Sequence, residues 1–264
     1  MSEYEIHAIR YAHHAARTAR DNFVGGDPHD GPMPMDYFVW LIQDADGGNG
    51  RRFVFDTGFD ETVGQRRGRT TTRPVAEGLK AVGVAPDSVT DVVLSHMHYD
   101  HAGNHGLFPG ACYHIQDAEM QYCTGRCMCH PHQRQPFEAG DVQAMVGRVF
   151  EGRARFHQGD SELAPGISVH LVGGHSRGLQ VMRVRTRRGW VVLASDATHY
   201  YANFEQGRPF PIADSISDTL EGYNRLRQLA DTPGHVVPGH DPLVLERYPA
   251  SRAGLDAVVR LDAG

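Results

Sequence analysis

Alternation and runs of apolar positions divide the chain into many short strands and a few helices. Tyr4 to Tyr11 (YEIHAIRY) alternates and predicts a strand, and Tyr37 to Ile42 (YFVWLI) predicts a buried one. Between them, residues 21–36 (DNFVGGDPHDGPMPMD) are rich in Gly and Pro and predict a long loop. Gly47 to Gly50 predicts a hairpin turn, and Arg52 to Phe55 the returning strand, which ends at Asp56-Thr57-Gly58. Pro74 to Val82 predicts a helix, with Pro at its start, Val75, Leu79 and Val82 on one face, and Gly83 beyond its end. Asp91 to Leu94 and Ala111 to Ile115 are apolar and predict strands. Residues 117–150 predict helix in part, around an irregular Cys/His-rich stretch. Further strands are expected near 167–172, 179–186 and 190–195, then a helix at about 215–230 and a short strand from His235 to Val237.

Strands dominate each half and helices follow them, which predicts two sheets packed face to face with helices outside. No repeat, low-complexity tract or linker interrupts the 264 residues, so one α/β domain over 1–264 is expected. The 26 basic and 32 acidic residues give a formal charge of −6, which argues against a nucleic-acid partner. No apolar run nears the ~20 residues that span a bilayer, and the N-terminus lacks the basic and apolar regions of a signal peptide. A cytoplasmic protein with no membrane partner and reduced cysteines (Cys112, Cys123, Cys127, Cys129) is therefore expected. A homodimer is compatible with the sequence, which leaves the oligomeric state open.

The main chemical signal is Ser95-His96-Met97-His98-Tyr99-Asp100-His101, directly after a predicted strand. Residues two apart on an extended segment point the same way, so His96 and His98 can grip one metal. Asp100 and His101 come after the turn and can reach a second. Nitrogen and carboxylate donors without thiolate suit zinc, with iron or manganese as alternatives. His175, Asp196 and His240 each follow an apolar strand and stand beside Gly or Ser, as donors converging at a sheet edge would. His7, His13, His14, His29, His114, His157 and His170 show no such context and are given no role.

HxHxDH followed by a distant His, Asp and His in these contexts resembles the metallo-β-lactamase superfamily, over nearly the whole chain. The resemblance implies an αββα sandwich, two mixed β-sheets with helices on the outer faces and the metals at one edge between the sheets. It implies two zinc ions per chain: His96, His98 and His175 on the first, Asp100, His101 and His240 on the second, and Asp196 bridging. Asp56 matches an Asp that supports the histidine loop in that family; alternatively it satisfies the local backbone of its turn. The chemistry implied is attack of a metal-bridging hydroxide on a carbonyl, with Asp100 carrying the proton to the leaving group.

Within the superfamily, Asp196 and the absence of a signal peptide disfavour true β-lactamases. The 24 residues after His240 are too few for the helical extension of glyoxalase II enzymes. His98 disfavours flavodiiron proteins, and the absence of basic runs disfavours nucleases. What remains is similar to the N-acyl homoserine lactonase branch and to 4-pyridoxolactonase. A hydrolase opening an acyl homoserine lactone or an aromatic or catabolic lactone is expected, with a small-molecule lactone or ester as substrate. Another carbonyl hydrolase acting on a thioester, cyclic amide or ester is the alternative, and a non-catalytic metal-dependent binding protein a third. Such lactonases carry a Tyr three residues after the bridging Asp; here that position is His199, followed by Tyr200 and Tyr201. His199 takes over the donor role, or Tyr200 reaches in, or His199 is a structural neighbour, or the substrate is not an acyl homoserine lactone. Phe23, Met33 and Met35 in the 21–36 loop are candidates to contact substrate. The Cys123/Cys127/Cys129 segment, with His130 or His132, either holds a third metal or is an irregular loop near the site mouth, where Arg126 or Arg134 could meet a substrate carboxylate.

Overall fold

A computed structural model describes residues 2–46 and 50–263. The turn expected over Gly47 to Gly50 falls, but for its last residue, outside the described residues. The first sheet contains β1 (Tyr4–His14), β2 (Met35–Asp44), β3 (Arg52–Phe55), β4 (Thr70–Thr71), β5 (Asp91–Val93), β6 (Cys112–Gln116), β7 (Ala154–His157) and, from the far end of the chain, β13 (Val258–Arg260). Its order is β13-β1-β2-β3-β5-β6-β7, with β4 also on β1. The second sheet, β12-β11-β10-β9-β8, is built from β8 (Ser161–Ala164), β9 (Ile167–Leu171), β10 (Gln180–Thr186), β11 (Gly189–Ser195) and β12 (Val236–Pro238). Both sheets are mixed: β3, β5, β6 and β7 run parallel to one another and β11 runs parallel to β12, whereas the remaining pairs are antiparallel.

The apolar run on β2 is unbroken because both faces of the strand are covered. Phe38, Trp40 and Ile42 point into the layer between the sheets, where they meet Phe53, Phe55, Val169, Met182, Val184 and Leu193. Tyr37, Val39 and Leu41 point outward into a second core with Leu79, Met120 and Met145. That core sits under helices α1 (Glu61–Arg66), α2 (Val75–Ala81), α3 (Tyr99–Ala102), α4 (Asp117–Cys123), α5 (Pro131–Arg134) and α6 (Ala139–Phe150). On the opposite side α7 (Tyr201–Gln206) and α8 (Ile216–Leu229) cover the second sheet, and a short α9 (Leu243–Arg247) follows β12. Helix α8 is capped by Ser215, whose hydroxyl accepts from the Asp218 N–H, and it buries Thr219, Gly222, Tyr223, Leu226 and Leu229 on one stripe. The architecture is therefore α/β/β/α in layers.

The 21–36 loop is shorter than its composition predicts. Its last two residues, Met35 and Asp36, belong to β2, because β1 runs on to His14 and pairs with them, His14 opposite Met35 and His13 opposite Asp36. The rest of the loop is tied to the segment after α7: the Val24 N–H donates to Pro209 O at 2.8 Å, and Arg208 pairs with Asp27 at 2.7 Å. No helix is long and apolar enough to cross a membrane among the described residues.

Candidate metal centre

Strand ends from both sheets converge at one edge of the sandwich. β3 and β5 run parallel and release Asp56 and the His96–His101 loop side by side. β11 and β12 run parallel in the other sheet and release Asp196 and His240. The turn between β9 and β10 supplies His175. Gly174, at φ 84°, packs so closely on Thr219 that a Cβ would lie 2.6 Å from its backbone nitrogen, so only glycine lets the chain turn there.

Seven donor side chains meet, all at most 8% exposed. Donor atoms of His96, His98, His175 and Asp196 lie within 4.8 Å of one another, as do those of Asp100, His101 and His240. Asp196 stands between the two sets. Its Oδ2 is 3.1 Å from His175 Nε2 and 3.9 Å from His96 Nε2, whereas its Oδ1 is 2.8 Å from His240 Nε2 and 3.2 Å from His101 Nε2. His98 faces the first set through Nδ1, 2.9 Å from His175 Nε2. Asp100 lies 3.7 Å from His101 Nε2 and 3.8 Å from His240 Nε2.

The outer nitrogen of each remaining histidine is held from behind, which fixes the ring and aims Nε2 inward. His96 Nδ1 meets Ser95 Oγ at 2.9 Å, His175 Nδ1 meets Ile212 O at 2.7 Å, and His240 Nδ1 meets Asp36 O at 2.9 Å. His101 Nδ1 meets Asp56 Oδ2 at 2.8 Å. Asp56 is fully buried and also accepts from Ser95 N–H at 2.7 Å, Ser95 Oγ at 2.9 Å and Ser195 Oγ at 2.9 Å. It thus joins three strand ends, and it does so at φ 59°, with Ser195 at φ 44° beside it. Left-handed backbone at two non-glycine residues is strain of the kind found at functional sites.

The donor set fits cations. His96 Nε2, His101 Nε2, His240 Nε2 and Asp196 Oδ1 are buried and lack a partner in hydrogen-bonding geometry among the described residues. Among the described residues the ion pairs of Asp56, Asp100 and Asp196 are all to histidines. Burial, reinforced by the charges of His101 and His98, holds the His96 imidazole well below its ordinary range. Burial works against charge on His101 as well, but Asp196, Asp100 and Asp56 outweigh it and hold that ring well above its ordinary range. Nitrogen and carboxylate donors in two sets around one shared carboxylate suit zinc-like ions.

His199 joins the cluster, its Nε2 3.0 Å from Asp196 Oδ2, and it stacks on Phe210 with centroids 3.6 Å apart. Burial pushes its pKa down to about 3, against the pull of Asp196. A cleft opens over the cluster, lined by Met35, Tyr37, Tyr99, Gln135, His199 and Phe210 together with arginines. Tyr200 lies outside that lining: it is 1% exposed and donates to Pro34 O. Of the three loop candidates, Met35 lines the cleft, Phe23 is buried under Arg208 and Met33 packs on the core. Cys123, Cys127 and Cys129 do not gather around a common point, and no metal-capable group among the described residues includes them. Arg126 and Arg134 are likewise absent from the cleft, whereas Arg17, Arg67 and Arg69 line it.

Sequence reasoning also passed over Glu119 on α4. It is fully buried and accepts from Met97 N–H at 2.8 Å, from Gly178 N–H at 3.0 Å and from the Ser176 hydroxyl. A single Glu on a mixed helix carries no signal that its partners lie far along the chain.

The metallo-beta-lactamase superfamily model matches residues 33–242. An N-acyl homoserine lactonase of Bacillus cereus is 30% identical over 165 residues, which is 62% of this chain and 60% of that protein. The lactonase AttM of Azorhizobium caulinodans is 32% identical over 178 residues, 62% of each chain. The chain thus spans about 60% of the length of the curated relatives it matches. Among solved structures, that of a Bacillus thuringiensis AiiA variant with N-decanoyl-L-homoserine at its active site superposes with a TM-score of 0.75 at 21% identity, covering 94% of this chain and 98% of that one. At that identity the likeness speaks for the fold.

Proposed function

The chain belongs to the metallo-β-lactamase superfamily, and from that premise we propose that it is a two-zinc hydrolase that opens a lactone ring, its residues 1–264 acting as one catalytic domain. The observation that carries the reading is the buried cluster of seven donors, divided into two sets around Asp196, in which Nε2 of His96, His101 and His240 lacks a hydrogen-bond partner among the described residues. The lactonase relatives support the substrate class. His96, His98 and His175 would hold one ion, Asp100, His101 and His240 the other, and Asp196 both. When bound, two such ions supply Lewis acidity, lowering the pKa of water and offsetting charge that builds on a carbonyl oxygen.

The chain's own groups do the rest. Asp100, at the cleft floor, takes up the proton of the attacking water at a carboxylate oxygen and returns it to the ring oxygen as the acyl C–O bond breaks. His199, which stacks on Phe210 and lines the cleft, would turn its Nε2–H from Asp196 to the oxygen of the opening ring. The test is a lactone panel followed by acid release, together with elemental analysis. About two zinc ions per chain and turnover of at least one lactone are expected. Asp100→Asn should keep the fold and lose about a hundredfold or more in rate. Turnover confined to thioesters or phosphodiesters would overturn the reading.

A further inference from the structure

Two half-buried arginines, Arg17 and Arg69, line the cleft, and neither forms an ion pair with a carboxylate among the described residues. Arg17 donates Nε to Asn22 Oδ1 at 2.6 Å and Nη2 to Asp21 O at 2.5 Å. Its guanidinium lies 5.0 Å from the centroid of Phe210, the ring that carries His199. Arg69 donates Nε to Tyr99 Oη at 3.1 Å and Nη1 to Arg67 O at 2.6 Å. Tyr99 is the residue between His98 and Asp100. The third nitrogen of each, Nη1 of Arg17 and Nη2 of Arg69, has no hydrogen bond among the described residues. Arg67 lines the same cleft but is already paired with Glu138 at 2.8 Å.

A guanidinium taken part-way out of water without a counter-charge is costly to keep, and its planar fork matches a carboxylate. The protein as a whole carries a formal charge of −6, so this concentration of cations is local to the cleft. The acidic groups on the cleft floor, Asp100 and Asp196, belong to the donor cluster and are committed there. An uncharged acyl lactone would leave Nη1 of Arg17 and Nη2 of Arg69 without an anionic partner.

We propose that the substrate is a small lactone bearing a second, anionic group beside its ring, a carboxylate in the simplest case, gripped by Arg17 and Arg69 while the ring carbonyl faces the cluster. This rests on the lactone-hydrolase reading above. Ring opening adds one water across the acyl C–O bond and releases a hydroxy dicarboxylate.

The experiment compares γ-carboxy-γ-butyrolactone with its neutral carboxamide on the zinc-loaded protein. The acid should be preferred in kcat/KM by about tenfold to a hundredfold, as a charge-assisted pair is worth. Its KM should rise with ionic strength, and R17Q/R69Q should bring the ratio of the two substrates close to one. R17K/R69K, which keeps the charge and loses the fork, should recover part of it. Calorimetric binding of succinate to the metal-stripped protein, abolished in R17Q/R69Q, gives a readout apart from turnover. Equal or faster turnover of the carboxamide, with a ratio unmoved by the double substitution, overturns the anionic-substrate inference and leaves lactone hydrolysis standing. Failure to turn over any lactone, with succinate binding still dependent on the arginines, overturns the hydrolase reading and leaves the anion subsite.

Discussion

Asp56 shows how one side chain can tie a site together without entering it. Its two oxygens receive the backbone and hydroxyl of Ser95, the hydroxyl of Ser195 and the outer nitrogen of His101. Partners behind a ligating histidine are typically worth 10- to 100-fold in metal affinity, so Asp56→Asn should release zinc to a competing chelator about that much more readily. Asn tolerates the φ of 59° there, so the loss reads the carboxylate and not backbone strain. An unchanged chelator titration would show that Asp56 only closes its turn. The seven donors were legible in the sequence because each follows an apolar strand at a Gly or Ser. Arg17, Arg69 and Glu119 were not, since their partners are set by tertiary packing, and a half-buried arginine looks like an exposed one in a string of letters.

At the scale of elements, the site depends on loops held in register, and α4 holds two of them. Glu119 receives Met97 from the histidine loop and Ser176 and Gly178 from the loop bearing His175. Gly178 lies so near that a Cβ would come within 2.1 Å of the Glu119 nitrogen, which explains a glycine there. Glu119→Ala orphans two buried N–H groups at about 1–3 kcal/mol each, which should appear as a lowered urea midpoint. The same variant should lose zinc from the first set of donors ahead of the second. Equal loss from both sets would mean that Glu119 only stabilises the fold. Strand ends were the readable part of these elements, for the apolar runs stop where the turns begin. The start of β2 was missed because its first two residues follow a Gly/Pro-rich tract and are strand only through pairing with His13 and His14.

Across the whole molecule, buried histidines outside the cluster set an acid limit. Burial, with Arg260 nearby, pushes His7 down to about 4, and burial with Arg148 nearby does the same to His105. The unfolded chain protonates these rings near 6.5, whereas the folded one refuses the proton until about 4. The contribution of these two rings to stability is therefore complete above pH 6.5 and falls as pH drops from there toward 4, by about 1.4 kcal/mol per pH unit for each ring. Urea midpoints at several pH values should show that slope, and His7→Gln with His105→Gln should reduce it; an identical slope in the double variant would assign acid lability to other groups. The layered fold was legible from alternating halves of strand and helix, but the return of β13 to pair with β1 was not, as three residues near the C-terminus give no pattern of their own.

The donors come from both sheets: His96, His98, Asp100 and His101 from one, His175, Asp196 and His240 from the other. Any ion seated among them would rivet the two sheets of the sandwich together at the edge where these strands end. Part of its binding energy would then resist the sheets prising apart, so that loading zinc should slow unfolding as well as enable chemistry.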